Sequence, residues 1–129
     1  MFSQIKTSKE NKEVVSQLTR RLNLGTENVI ARIAYTYSLS QNKKLDIKDL
    51  ADVGGKEYSK AVLFGDNYDL YIGMICTHYG FYKTDKDIPK YIKLHIDDGL
   101  TIINRELEDQ PNIDGFDFLV DKVGLILNL

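Results

Sequence analysis

Four short segments contain side chains of the types used for phosphate binding, metal binding or nucleophilic chemistry. The first, GGK at residues 54–56, resembles part of a phosphate loop. Such a loop needs an earlier glycine and a Ser or Thr after the lysine, whereas Asp49 or Leu50 and Glu57 occupy those positions. We therefore interpret this segment as a turn.

The second segment, LDIK, has the Asp-x-Lys spacing of some metal-dependent nucleases. A divalent cation there would need a second carboxylate upstream, because hard cations bind several oxygen ligands. The upstream acids are Glu10, Glu13 and Glu27, all in predicted helices. Asp46 has a simpler role as the N-cap of a short helix, IKDLADV.

The third segment, HIDDG, combines a histidine with two carboxylates. On a helix, His95 and Asp98 share one face while Asp97 points elsewhere. Only His78 adds a second imidazole, so no ligand set with metal-binding spacing results, and we predict a solvated helix face without a metal. Gly99 costs a helix about 1 kcal/mol relative to alanine, which indicates close packing against another helix or a subunit.

The fourth candidate is Cys76, the single cysteine of the chain. It has no partner for an intrachain disulfide, which favours a cytoplasmic protein. It lies in the most apolar predicted helix, where burial raises a thiol pKa and lowers reactivity, so we predict a packing role. Together the four segments give no catalytic residue, no metal site and no cofactor, and we expect the protein not to be an enzyme.

The elements that position these segments are predicted to be mainly helical. The start, FSQIKTS, permits a strand. Ser8 or Thr7 then caps a helix that ends at a left-handed Gly25, and Thr26 caps a second helix that runs to about Gln41. Strand, helix, tight turn and helix is the order of a ribbon-helix-helix unit, in which two chains pair their N-terminal strands. A plain helical hairpin is the alternative.

The rest of the chain predicts a helical body. Asp66 caps NYDLYIGMICTHYG, whose apolar residues on nearly all sides predict burial in a core or between subunits. EYSKAVLFG fits either a strand or a helix. Asp87 opens a long helix with Pro89 in its first turn, which ends before Pro111, and Asp114 caps the last helix. The predicted core side chains of that last helix are Phe118, Leu119, Val123, Ile126 and Leu127.

We therefore predict one mainly α domain over residues 1–129, with a ribbon-helix-helix-like unit followed by a helical body. Its charge is uneven. Residues 1–44 carry eight basic and three acidic side chains, a net charge of +5, while residues 45–129 carry nine basic and sixteen acidic ones, a net charge of −7. A basic front on an acidic body favours a nucleic-acid partner, with a solvated charged face as the alternative. The side chains predicted to contact phosphate are Lys6, Lys9, Lys12, Arg20, Arg21, Lys43 and Lys44.

Three segments resemble the DndE family, the small component of bacterial DNA phosphorothioation systems. They are FSQIKTSKENKEVVSQLTRRLNLGTENVIARIAYTYSLS, GGKEYSKAVLFGDNYDLYIGMICTHYG and DIPKYIKLHIDDGLTIINREL. The resemblance covers nearly the whole chain. It implies a role in replacing a non-bridging phosphate oxygen of DNA by sulfur, alongside a cysteine desulfurase, an iron–sulfur protein and an ATPase-like component.

The resemblance also implies a ribbon-helix-helix-like character, homo-oligomerisation and binding of duplex DNA, notably nicked duplex. The all-round apolar helix and Gly99 independently predict a dimer or tetramer. No apolar run is long enough to predict a membrane span, and the first residues lack the apolar segment of a signal peptide. We expect a cytoplasmic DNA-binding accessory protein. The alternatives are a scaffold for the other sulfur-modification proteins that does not bind DNA, and an enzyme that acts at nicks.

Overall fold

The structure of the protein is a computed structural model that describes residues 4–126. Helices dominate, as predicted, and a small two-stranded sheet accompanies them. The strands are β1 (Gln4–Lys6) and β2 (Glu57–Ser59). The helices are α1 (Glu10–Leu22), α2 (Glu27–Ser40), α3 (Lys60–Phe64), α4 (Tyr68–Tyr79), α5 (Ile88–Glu108) and α6 (Gly115–Ile126), with short 3-10 helices at Ile47–Asp49 and Gly65–Asn67.

The predicted N-terminal strand is present as β1, and its partner is β2 of the same chain. The two strands are antiparallel, with Ile5 opposite Tyr58 and Lys6 opposite Glu57. EYSKAVLFG, which fitted a strand or a helix, forms β2 followed by α3. A ribbon between two chains would have to use the edge of β1 that β2 leaves free, so the ribbon-helix-helix arrangement stays a prediction.

A very close backbone contact between helices lies where α5 crosses α2. A Cβ atom built on Gly99 would lie 1.9 Å from the carbonyl oxygen of Ala34 and 2.4 Å from its carbonyl carbon. Only glycine permits this approach. The close packing predicted at Gly99 is confirmed, and its partner is a helix of the same chain.

The apolar core lies around α5 and receives side chains from every helix. Each fully buried aliphatic or aromatic side chain contributes roughly 1.5–3 kcal/mol relative to its exposed state. The largest fully buried side chains are Tyr35, Phe64, Phe118, Leu18, Ile30, Leu63, Ile75, Ile88, Ile92, Ile96, Leu100 and Ile103.

The start of α1 differs from the prediction. Lys9, and not Ser8 or Thr7, occupies the N-cap position. The Ser8 hydroxyl donates instead to the Asp97 carboxylate at 3.2 Å, and the Thr7 hydroxyl donates to the Lys56 carbonyl at 3.2 Å. The predicted cap was wrong because both hydroxyls find partners distant in the sequence.

Three other local predictions were also wrong. The left-handed residue that ends α1 is Asn23, with φ of 51°, while Gly25 lies two residues further on with φ of 138°. Asn67 rather than Asp66 precedes α4. The predicted helix IKDLADV shortens to one 3-10 turn, Ile47–Asp49.

The remaining helix starts agree with the sequence. Thr26 precedes α2, and the Asp46 and Asp114 carboxylates accept backbone N–H groups at the starts of their helices. Asp87 precedes α5, with Pro89 in its first turn. The Thr26 side chain accepts no capping hydrogen bond, so its predicted position at the start of α2 is confirmed but its predicted capping was wrong. The positions of all four residues are set within one helical turn, so a local pattern was sufficient to find them.

Helix α4 is less buried within the chain than its composition predicted. Only Ile72 and Ile75 are buried, while Met74 is half-buried and Leu70 is 65% exposed. Burial on several sides in the core of one chain was therefore wrong. Burial between subunits, the other interpretation of this helix, stays a prediction.

Helix α6 is held by one of its faces. Phe118 is buried and Leu119 half-buried, as predicted, but Val123 is 48% exposed, so its predicted place in the core was wrong. Leu127 and the side chain of Ile126 lie outside what the structure describes.

The contact at Gly99 yields a stability prediction. We expect Gly99→Ala to destabilise the fold by about 3 kcal/mol or more, because the new methyl group meets backbone atoms that cannot rotate away. A Cβ on Gly124 in α6 meets nothing within 4 Å, so Gly124→Ala should be neutral or slightly stabilising. Urea unfolding of both variants provides the measurement, and equal midpoints would contradict the proposed role of Gly99.

Candidate nucleic-acid interface

The side chains predicted to contact phosphate are divided between the two ends of α1. By element, they are Lys6 on β1, Lys9 and Lys12 at the start of α1, Arg20 and Arg21 in its last turn, and Lys43 and Lys44 after α2. At about 1.5 Å per residue, Lys12 and Arg20 are about 12 Å apart along the helix axis. A single compact patch therefore cannot contain all seven.

Two adjacent aspartates of α5 hold the start of α1 beside the end of α2. Asp97 accepts the Ser8 N–H at 3.1 Å and the Asn11 side-chain amide at 2.8 Å. Asp98 lies 2.8 Å from the Lys43 ammonium group. Because the two carboxylates are neighbours in the chain, the basic residues at the start of α1 and those after α2 are anchored next to each other.

A cleft of about 250 Å³ lies between these two anchored segments and is lined by carboxylates. They belong to Glu10, Asp49, Asp97 and Asp98. Asp97 is paired at 2.8 Å with Lys93, which is itself buried. A phosphate would be repelled from the cleft itself, so any contact with phosphate would have to come from lysines outside it.

Two of the predicted side chains form exposed ion pairs. The Lys6 ammonium group lies 3.4 Å from the Glu57 carboxylate, and the Arg20 guanidinium lies 3.7 Å from Glu13. Exposed pairs of this kind contribute about 0–1 kcal/mol. A phosphate can therefore replace either carboxylate at little cost.

The other predicted side chains differ in whether they have a hydrogen-bond or ion-pair partner. Arg21 donates to the carbonyl oxygen of Gln110, and Lys43 is paired with Asp98, so both have structural partners. The three remaining lysines of the predicted set are exposed and form no ion pair within residues 4–126. They are Lys9, Lys12 and Lys44.

A buried polar network lies behind Lys43, and the sequence did not predict it. His95 is fully buried, with Nδ1 2.8 Å from the Ser38 hydroxyl and Nε2 2.6 Å from the Tyr79 hydroxyl. Ser38 donates to Asp98 at 2.6 Å, and the Leu45 N–H donates to Tyr79 at 2.8 Å. These directions give the neutral imidazole its proton on Nδ1, so every group in the network is satisfied.

The prediction that HIDDG forms a solvated face was wrong. His95 follows Ile88 by seven positions and Ile92 by three, and it precedes Gly99 by four. This spacing belongs to the buried face of α5, so the signal was present in the sequence. What the sequence lacked was the identity of the partners, which lie on α2 and α4.

The buried histidine gives a pH-dependence prediction. Burial, together with the nearby charges of His78 and Lys43, lowers the pKa of His95 from 6.5 to about 4, although Asp98 opposes the shift. Between those pH values the unfolded chain binds a proton that the folded chain excludes. The free energy of unfolding should therefore fall as the pH drops from about 6.5 to about 4, by up to about 1.4 kcal/mol per pH unit. Chemical denaturation at several pH values measures this change in the free energy of unfolding.

The control for this prediction is His95→Gln, which cannot titrate. This variant will be less stable at neutral pH because the network loses part of its hydrogen bonding. Its stability should nevertheless vary less between pH 6.5 and 4 than that of the unchanged protein. An identical slope in both proteins would show that His95 does not carry the effect.

The glycine pair before Lys56 has a structural role. The Gly55 N–H donates to the Thr7 carbonyl at 3.0 Å, and a Cβ on Gly55 would lie 2.1 Å from the Ser8 carbonyl oxygen. The glycine lets two backbone segments meet, in agreement with our interpretation of GGK as a loop rather than a phosphate site.

Cys76 is half-buried on α4. Burial raises the pKa of its thiol, and the Asp85 carboxylate adds to the shift. A raised pKa lowers the thiolate fraction at neutral pH, and with it the reactivity of the sulfur. These surroundings fit the predicted packing role.

Two further properties concern residues 4–126. Within that part of the chain, no three His, Cys, Asp or Glu side chains are grouped so that they could hold a metal ion. No helix described there has the length and apolar character needed to cross a membrane.

Comparison with known proteins gives a family and a fold. A family model described as DNA sulphur modification protein DndE matches residues 4–110. The fold is similar to a crystal structure of DndE from Escherichia coli B7A involved in DNA phosphorothioation modification. That match has a TM-score of 0.63 at 16% identity and covers 80% of this chain and 98% of the other.

A second crystal structure, of a DndE mutant involved in DNA phosphorothioation, is also similar. It gives a TM-score of 0.66 at 17% identity, with the same shares of both chains covered. At these identities the likeness establishes the fold. No curated protein matches this chain.

Proposed function

The chain belongs to the DndE family of DNA sulphur modification proteins, and we propose that it is a DNA-binding accessory protein of DNA phosphorothioation. It would bind duplex DNA, nicked duplex included, through phosphate contacts and without catalysing a reaction. Its partners would be the cysteine desulfurase, iron–sulfur and ATPase-like components of the system. Because DNA would be its ligand, we infer that it acts in the cytoplasm.

The observation that carries this proposal is that three lysines on two neighbouring segments, Lys9, Lys12 and Lys44, are exposed and form no ion pair in the described structure. Lys9 and Lys12 begin α1, and Lys44 follows α2, in segments held by the adjacent residues Asp97 and Asp98. Lysines that lack a carboxylate partner can bind a phosphate without first breaking an ion pair, and the release of counterions from DNA favours binding. Lys6, in a weak exposed pair, would add to this surface, and Arg20, also in a weak exposed pair, would extend it toward the other end of α1.

We propose that two or more copies assemble so that this basic surface repeats. A broad apolar groove of about 680 Å³ runs between α2 and α4, and its lining includes Leu39, Leu70, Gly73 and Met74. Covering this groove with a second copy would bury the side of α4 that one chain leaves exposed. Pairing of two β1 strands through their free edges, as in a ribbon-helix-helix dimer, is the alternative contact.

The first test of the function is DNA binding by charge-reversed variants. Replacing Lys9, Lys12 and Lys44 by glutamate should weaken binding to all DNA sequences alike, because phosphates carry no sequence information. The slope of the logarithm of affinity against the logarithm of salt concentration should flatten by about 0.9 for each phosphate that the variant no longer neutralises. Titrations on intact, nicked and single-stranded DNA at several salt concentrations provide the measurement.

The matched control reverses Lys83 and Lys86, two exposed lysines of the acidic body. It should change binding much less than the triple variant. Equal losses would show that the basic surface has been misassigned. Binding that is absent or insensitive to salt in the unchanged protein would favour the alternative of a scaffold that does not bind DNA.

The second test concerns assembly. Light scattering at micromolar concentration should give a dimer or a tetramer, and Leu70→Lys should shift it toward the monomer by placing a charge in the groove. Val62→Lys, at an exposed valine of α3, is the control and should leave the mass unchanged. A monomeric unchanged protein would contradict the proposed assembly.

A further inference from the structure

Helix α6 exposes an apolar stripe, and the last of its residues, Val123, also lines a cleft between α6 and the body. Phe116, Val120 and Val123 are 73%, 55% and 48% exposed, and their spacing of four and three residues aligns them on one face. The opposite face holds the helix in place through buried Phe118 and through Lys122, which pairs with a carboxylate of α5. The stripe is therefore not needed to attach α6 to the body.

The helix also lies outside the part of the chain that the family shares. The family model ends at residue 110, and α6 begins at Gly115. Each of the two similar DndE structures matches 80% of this chain, and the match includes 98% of its own length. Since the family model does not extend to α6, the exposed face of this helix can serve a function that the matched residues do not supply.

We propose that this stripe binds an amphipathic, positively charged segment of another protein. Asp117 and Asp121 each follow a stripe residue by one position, are exposed, and are four residues apart. They form an acidic border along the apolar side chains. Lys122 offsets part of this charge, because it lies 3.5 Å from Asp121, but it is shared with Glu106 and forms no ion pair with Asp117. An apolar ridge flanked by lysine or arginine complements both features.

Charge and composition argue against the other occupants. DNA and anionic lipid would be repelled by the acidic border. If two copies paired through α6 in antiparallel orientation, Asp117 and Asp121 of both copies would lie on the same side of the contact and repel each other. The basic front of a second copy would match the charge but not the stripe, because residues 4–44 contribute none of the large apolar side chains that are exposed in the described structure.

The test uses the full chain and two synthetic amphipathic helical peptides of about 18 residues, or five turns. Both peptides carry the same leucine stripe, one bordered by lysines and the other by glutamates. The lysine peptide should bind at least about tenfold more tightly, a difference of about 1.4 kcal/mol. Chemical-shift changes on binding should concentrate on Phe116, Val120 and Val123.

Two variants separate the apolar and the electrostatic contributions. The double variant Phe116→Ser and Val120→Ser should lose about tenfold or more in affinity for the lysine peptide with an unchanged urea midpoint, because both side chains are exposed. The double variant Asp117→Asn and Asp121→Asn should lose the preference between the peptides. Val62→Ser, at another exposed valine, is the control and should bind like the unchanged protein.

Four outcomes would overturn the proposal. They are equal binding of both peptides, binding that the α6 variants do not alter, tighter binding to phosphatidylserine vesicles than to the lysine peptide, and dissociation of an oligomer by Phe116→Ser. The last would show that a second copy covers the stripe. None of these outcomes depends on DNA. The proposal can therefore fail while DNA binding is confirmed, and DNA binding can fail while the proposal is confirmed.

Discussion

The contact between Gly99 and Ala34 is the constraint on which the rest of the structure depends. A side chain at position 99 would overlap the α2 backbone, so the glycine fixes how near α5 and α2 approach. Asp97 and Asp98 precede this contact directly. The close approach therefore brings one carboxylate within hydrogen-bond reach of the start of α1 and the other within reach of the end of α2. A glycine that costs helix stability is retained because it determines the position of two other helices.

These two aspartates also modify the separation of charge seen in the sequence. The acidic body holds the basic front in place. Asp97 accepts hydrogen bonds from Ser8 and Asn11, and Asp98 forms an ion pair with Lys43. A buried or half-buried carboxylate needs such partners, since an unpaired charge away from water is costly. One basic side chain of the front is thereby used for structure, and the lysines that remain available to a phosphate lie on either side of a cleft of carboxylates.

Sequence patterns found those features whose partners are local. The mainly helical class, the starts of α2, α5 and α6, and the close packing at Gly99 were all predicted, because apolar spacing and N-cap residues act over a few positions. The hydrogen bond of Ser8 was not predicted, because its partner Asp97 is 89 residues away in the sequence. The same holds for His95, whose spacing placed it on the apolar face while its partners Ser38 and Tyr79 lie on other helices. For the interface, the sequence identified which residues are basic; it did not reveal which of them pair with Asp98, Glu57 or Glu13.

The exposed apolar surface of α4 and the apolar stripe of α6 differ in origin, and this difference argues that they have different occupants. The surface of α4 around Leu70 lies within residues 4–110, which match the family model, so a contact made there can be common to the family. The stripe on α6 lies beyond residue 110 and is bordered by aspartates, whereas the groove beside α4 is mostly apolar with one aspartate, Asp69, in its lining. An apolar surface with few charges suits self-association, because few like charges then face each other when identical copies meet. An acidic border instead selects a partner of opposite charge, and identical copies of α6 do not provide one.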